Sequence, residues 1–220
     1  MVKAVVFDMD GIIFDTESMT VSLWKKASEA LGCADATPFK GEFMGLNTVY
    51  QRKYFSDKFG KDFPYDEFIQ CANRYSAEYV AQHGVPVKPG LFELLNYLKQ
   101  SGLLIAAATS TRRATVMHYF KDAGITDYFD RIICGDMVEK SKPDPDIYLK
   151  AANALGVAPQ DCMALEDSPN GLTSAYRAGM KTVMVPDLIP PTPELQKMLF
   201  ACVPSLSDVI SLLEQQKAAV

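Results

Sequence analysis

The stretch Val6-Phe7-Asp8-Met9-Asp10-Gly11-Ile12 decides how the rest of the chain is read. It closes an apolar run that begins at Lys3 and ends in two acids, two positions apart, followed by a glycine. An apolar run this short, rich in β-branched residues, predicts a buried strand over 3–7. Asp8 and Asp10 then emerge at its C-terminal end, where open α/β sheets bind ligands. Paired carboxylates at that place point to a divalent metal, a nucleophile, or both. Gly11 lets the chain turn away without crowding whatever binds there.

Working outward, similar apolar runs predict strands over 103–108, 131–134, 163–165 and 182–185. Helical periodicity separates them. Leu91, Leu94, Leu95 and Leu98 share a face, with Gly102 as the stop. Val116, Phe120 and Ala123 repeat the pattern before Gly124, 147–155 ends at Gly156, and 172–178 ends at Gly179. Alternation of this kind implies an α/β fold with a doubly wound, mostly parallel sheet. One interval breaks it: between Thr16 and Gly84 the patterns are helical throughout. Leu23, Trp24, Ala27 and Leu31 form one face, Tyr50, Tyr54 and Lys58 open a second helix, and Phe68, Ile69, Ala72, Tyr75, Tyr79 and Val80 mark a third. The expected organisation is a core of 1–15 and 86–220 with an all-helical insert at 16–85. The proline-rich 186–193 reads as an ordered surface loop, and 206–215 as a closing helix.

Composition narrows the classes of function. A hydrophobic share of 48% supplies ample core for 220 residues, and a net charge of -5 argues against nucleic acid as the partner. No apolar segment approaches the ~18 residues of a membrane span, and Asp8 interrupts the N-terminal run before a secretory leader can form. The cysteines, Cys33, Cys71, Cys134, Cys162 and Cys202, are odd in number and form no C-x-x-C pair, as expected of reduced core thiols in a cytoplasmic protein. His83 and His118 are far apart and are not expected to be catalytic.

Three further polar clusters follow predicted strands: Thr109-Ser110-Thr111, Ser141-Lys142-Pro143-Asp144-Pro145-Asp146 and Glu166-Asp167-Ser168-Pro169-Asn170-Gly171. In a parallel sheet these ends share one edge, so Asp8, Asp10, Thr109, Lys142, Glu166 and Asp167 are expected to converge. Four carboxylates in a small volume raise one another's pKa, and a bound Mg2+ relieves the repulsion. A hydroxyl and an ammonium beside such a metal suit phosphate oxygens. The combination describes a site for phosphoryl transfer, where positioning and charge neutralisation supply most of the catalysis.

These motifs resemble those of the haloacid dehalogenase-like (HAD) superfamily, and within it the β-phosphoglucomutase-like phosphatases. Asp8-Met9-Asp10-Gly11 with Asp15-Thr16-Glu17 is similar to the family's first motif and the loop behind it. Thr109 matches the second motif, Lys142 the third and Glu166-Asp167-Ser168 the fourth, and Ala178-Gly179-Met180 fits the usual continuation. The resemblance spans essentially the whole chain and implies a Rossmann-like HAD core with a helical cap. It implies that Asp8 is the nucleophile, forming an aspartyl-phosphate, and that Asp10 is first general acid and then base. It implies Mg2+ held by Asp8 and the Asp10 main-chain carbonyl, with Asp167 and Glu166 behind. Thr109 and the Ser110 amide would hold the transferring phosphoryl group, with Lys142 offsetting charge. Thr111 and Arg113 stand where related sugar-phosphate enzymes hold a second phosphate or polar group. Met44-Gly45-Leu46-Asn47 resembles a cap loop that faces the site, which makes Asn47 a candidate specificity residue.

The resemblance leaves hydrolase and mutase to be separated. β-Phosphoglucomutases carry a histidine in the first cap helix at the position of Thr20, an arginine near Thr48 and a cap lysine near Tyr75. Those departures favour hydrolysis. The dehalogenase reading fails because such enzymes lack the second acid of the first motif, present here as Asp10. The expectation is a cytoplasmic, monomeric, Mg2+-dependent phosphatase of small phosphorylated metabolites, sugar phosphates first among them, with β-phosphoglucomutase-type activity as the alternative.

Overall fold

β1 (Ala4–Phe7) is the central element of a parallel six-stranded sheet ordered β3-β2-β1-β4-β5-β6. The computed structural model describes residues 1–37 and 48–218. The other strands are β2 (Leu104–Ala108), β3 (Arg131–Ile133), β4 (Cys162–Glu166), β5 (Lys181–Met184) and β6 (Ala201–Cys202). All four residues of β1 are buried, as a strand covered on both faces requires. The chain runs outward from β1 to β2 and β3, then crosses back to β4 on the other side of β1. That reversal is a topological switch point, and the crevice it opens lies at the carboxyl end of β1.

Small residues set how closely the layers approach. Ala4 and Val6 of β1, Ala106 and Ala108 of β2 and Ala164 of β4 form one buried cluster with Ile147, Tyr148, Ala151 and Ala152 of the helix Asp146–Leu155. Alanine on both surfaces brings that helix near the sheet. Ala175 of the helix Pro169–Arg177 and the following Ala178 join the same cluster. Leu91, Leu94, Leu95 and Leu98 of the helix Leu91–Gln100 are all fully buried, as their spacing predicts.

The described chain divides into two compact units, Met1–Asp15 with Val87–Val220, and Thr16–Pro86. Within the first unit the departing and returning segments meet: Phe14 bridges Val87, and the Lys88 amide donates to the Ile13 carbonyl. Lys88 also lies between Asp187 (2.9 Å) and Asp15 (3.6 Å). The second unit holds the helices Thr16–Leu31, Thr48–Phe59 and Tyr65–His83. Its core is aromatic. Phe55 is buried, with the rings of Trp24, Phe59, Phe63, Tyr65 and Phe68 at centroid distances of 5.1–6.0 Å.

Three local expectations need correction. Leu31 does not join the buried face of its helix but is exposed at the end. β6 was not anticipated, since two residues are too short to display a period. The proline-rich segment runs into a short helix, Pro193–Gln196, capped by Thr192 and started by a proline. Among the described residues no helix is long and apolar enough to cross a membrane.

Candidate active site

Sheet register places the first candidates. Phe7 pairs with Ala107 on one side and Leu165 on the other, so Asp8, Ala108 and Glu166 follow at one level. The Asp8 amide donates to the Leu165 carbonyl at 3.0 Å, and the Thr109 amide to the Ile133 carbonyl at 3.0 Å. Asp8, Thr109, Glu166 and Asp167 are all buried polar residues at the carboxyl ends of three adjacent strands.

Lys142 comes from the loop before the helix Asp146–Leu155 and reaches the same point. Its Nζ donates to Asp8 Oδ1 at 2.7 Å and to Glu166 Oε1 at 2.6 Å. Its side chain is only 8% exposed, so solvent screens neither pair. Burial by itself would lower the lysine pKa, but the Asp8 and Glu166 charges outweigh it and push it above its ordinary value. Lys142 is therefore a fixed cation. Asp8 moves the opposite way from a usual ion pair. Burial first, and then the Glu166 charge, raise its carboxyl to about 7, against the opposing pull of Lys142.

This shift has a consequence for stability. An unfolded Asp ionises near pH 4, whereas folded Asp8 holds its proton up to about pH 7. Between those values the native state binds the extra proton, so without metal the stability contributed by this residue falls as pH rises, then levels. Chemical denaturation from pH 5 to about 9 in chelator should show Asp8→Asn gaining on wild type up to about pH 8 and the difference holding constant above that. A difference independent of pH would contradict the raised carboxyl.

Glu166 is the most enclosed member. Oε1 accepts from Lys142 and from the Tyr148 hydroxyl (2.8 Å), and Oε2 accepts from the Asp167 and Ser168 amides (3.2 Å each) and Ser168 Oγ (3.0 Å). Ser168 also caps the helix Pro169–Arg177 by accepting from the Gly171 amide. A Cβ on Gly171 would lie 1.7 Å from Glu166 Oε1, so only glycine leaves room for this carboxylate. Gly11 is required twice: its φ is +81°, and a Cβ there would lie 2.4 Å from Asp167 Oδ2.

One carboxylate oxygen each from Asp8, Glu166 and Asp167 falls within 4.8 Å of the others. Among the described residues Lys142 is the ammonium bonded to two of these three buried carboxylates, Asp8 and Glu166, and every donor of the trio is a hard oxygen. That set fits Mg2+, which takes oxygen ligands and offsets the unbalanced charge. The Asp10 carboxyl is not in this group. Its Oδ2 accepts from Thr111 Oγ1 at 3.0 Å.

The softer candidates separate. Thr111 joins the site by its contact with Asp10. Ser110 is exposed, beside the buried Thr109. Arg113 is exposed at the start of the helix Arg113–Asp122, and its amide donates to Asp136 Oδ1. Asn47 lies outside the described residues. His83 stacks on Tyr79 and His118 pairs with Asp122, both on exposed helix faces. The cysteines are free thiols. Sequence reasoning missed Tyr148, Gly135 and Gly171. Tyr148 carried a signal, as an apolar-face residue in the first turn of the helix that follows Lys142.

The profile of the haloacid dehalogenase-like hydrolases matches residues 5–185. The Bacillus subtilis protein named "Putative phosphatase YhcW" is 35% identical over 190 residues, covering 86% of each chain. A β-phosphoglucomutase of the same organism is 31% identical over 189 residues, covering 83% of each. The crystal structure of CbbY from Rhodobacter sphaeroides in complex with xylulose-(1,5)bisphosphate superposes with a TM-score of 0.72 at 26% identity, over 94% of this chain and 96% of that one. The chain belongs to the haloacid dehalogenase-like hydrolases, within their β-phosphoglucomutase-like branch.

Proposed function

We propose that this hydrolase is a Mg2+-dependent phosphatase of small phosphorylated metabolites, chiefly sugar phosphates, working through an aspartyl-phosphate on Asp8. The observation that carries the reading is Asp8 held at 2.7 Å by a buried lysine, at a strand end shared with Thr109, Glu166 and Asp167. In the first half-reaction an Asp8 carboxylate oxygen attacks phosphorus in line. The ester P–O bond breaks, and Asp10 gives its proton to the leaving oxygen. In the second half, Asp10 takes a proton from water, whose oxygen attacks phosphorus and frees Asp8 and inorganic phosphate. Thr109 and the Ser110 amide hold the phosphoryl oxygens, and Lys142 balances charge as it passes between Asp8 and phosphate. Mg2+, when held by Asp8, Asp167 and the Asp10 carbonyl with Glu166 behind them, supplies neutralisation of the phosphoryl oxygens.

The substrate class is supported by the sugar bisphosphate on CbbY and by the mutase relative. Hydrolysis is favoured over transfer back to a sugar by Thr20. Where the mutases carry an imidazole, this side chain is a hydroxyl bonded back to the Thr16 carbonyl of its own helix at 2.6 Å. The all-helical unit Thr16–Pro86 corresponds in sequence to the cap that the family resemblance implies. The enzyme works as a cytoplasmic monomer, without nucleic acid or membrane.

Phosphate release from a panel of phosphorylated sugars should require Mg2+ and stop in chelator. With β-glucose 1-phosphate and catalytic glucose 1,6-bisphosphate, phosphate should outrun glucose 6-phosphate. The reverse order would make the enzyme a mutase, and turnover undiminished by chelator would remove the metal from the mechanism.

A further inference from the structure

Thr111 commits all three of its polar groups inside the site. Its hydroxyl donates to Asp10 Oδ2 at 3.0 Å, and its amide donates to Thr109 Oγ1 at 3.0 Å. Its carbonyl accepts from the Gly135 amide at 3.0 Å. The loop is held from below at a second point, because a Cβ on Gly135 would lie 2.1 Å from the Ser110 carbonyl oxygen. At a third, the Arg113 amide donates to Asp136 Oδ1 at 3.1 Å. The 109–113 loop is thus seated on the turn after β3, and Thr111 is its link to the loop after β1.

A threonine hydroxyl has one proton to give. Here that proton goes to Asp10 rather than to a ligand. Accepting from the Thr111 amide also leaves the Thr109 hydroxyl its own proton for a phosphoryl oxygen. We infer that Thr111 is a positioning residue which fixes the Asp10 carboxyl for proton transfer and couples its placement to that of Thr109, rather than a binder of a second phosphate. The inference rests on the reading of Asp10 as acid and base, and assigns a residue that aims it.

The test is a leaving-group series. In kcat/KM for substituted phenyl phosphates only the steps through release of the phenol count, so binding of a sugar and the later hydrolysis step do not enter. A well-placed acid flattens the dependence of rate on the pKa of the phenol. Thr111→Val keeps the shape, amide and carbonyl and removes the hydroxyl. It should steepen that dependence, losing about tenfold for the least acidic phenol and less than about twofold for p-nitrophenol, a part of what a general acid contributes. Thr111→Ser should restore the wild-type slope. Because a slope is a ratio within one preparation, a lower folded fraction does not change it. A uniform drop across the series, with the slope unchanged, would overturn the positioning role. A wild type inert toward every ester, or equally active as Asp8→Asn, would overturn the proposed function and this inference with it.

Discussion

Asp8→Asn is expected to abolish phosphate release while leaving the fold intact. The amide cannot displace the leaving group, so the loss in kcat should be on the order of 10^4 or more, as when the nucleophile of a covalent enzyme is removed. The physical interest lies in what is not lost. Asp8 contributes a buried carboxyl raised to about 7, so its ionised form is a burden on the metal-free fold at neutral pH. Asparagine fills the same volume without that charge, and Lys142 retains Glu166 at 2.6 Å. The melting temperature in chelator at pH 8 should therefore equal or exceed that of wild type, and stabilisation by added Mg2+ should shrink as a ligand is lost. Circular dichroism and thermal melts read the fold, and rapid-quench labelling with a radioactive phosphoester reads the phosphoenzyme. Turnover equal to wild type would exclude Asp8 as nucleophile.

Lys142→Met is expected to damage stability and activity together. It removes the only ammonium bonded to two buried carboxylates, Asp8 and Glu166, among the described residues. Breaking a buried ion pair from one side costs roughly 3–5 kcal/mol, because the stranded charge is left desolvated. For a chain of this size that is a fall on the order of 10 °C in melting temperature. The fall should be smaller at pH 5.5 than at pH 8, since a protonated Asp8 no longer needs the partner. Activity should drop by about 10^2–10^3, the scale of losing one preorganised group that faces developing charge. Adding Glu166→Gln should recover part of the stability but none of the activity, separating the two roles of the lysine. An unchanged melting temperature would mean that the pair is not the buried contact described here.

Glu166 shows where the sequence stops informing. Its position after an apolar run places it at a strand end, and the family resemblance puts it beside the metal. Neither indicates that it takes five hydrogen bonds, one from a tyrosine eighteen positions earlier. Thr111 is a similar case. The motif places it in the phosphate loop, but the direction of its hydroxyl depends on how that loop is seated against Gly135. Gly135 and Gly171 carry no special signal in the sequence, and only the neighbours that a Cβ would strike explain them.

What the sequence determined by itself was the set of strand ends and their chemistry. Parallel strands buried on both faces must be apolar runs, so the polar residues that terminate them stand out, and any parallel sheet brings those ends to one edge. Asp8, Thr109, Glu166 and Asp167 were legible for that reason, Lys142 through its motif, and the helices Thr16–Leu31, Thr48–Phe59 and Tyr65–His83 through their apolar spacing. What only the tertiary structure decided was the pairing within the site. Lys142 faces Asp8 and Glu166, Asp10 turns to Thr111, and Asp167 lies against Gly11. Those choices depend on side-chain direction and on sub-ångström clearance between loops far apart in the chain, which periodicity does not encode.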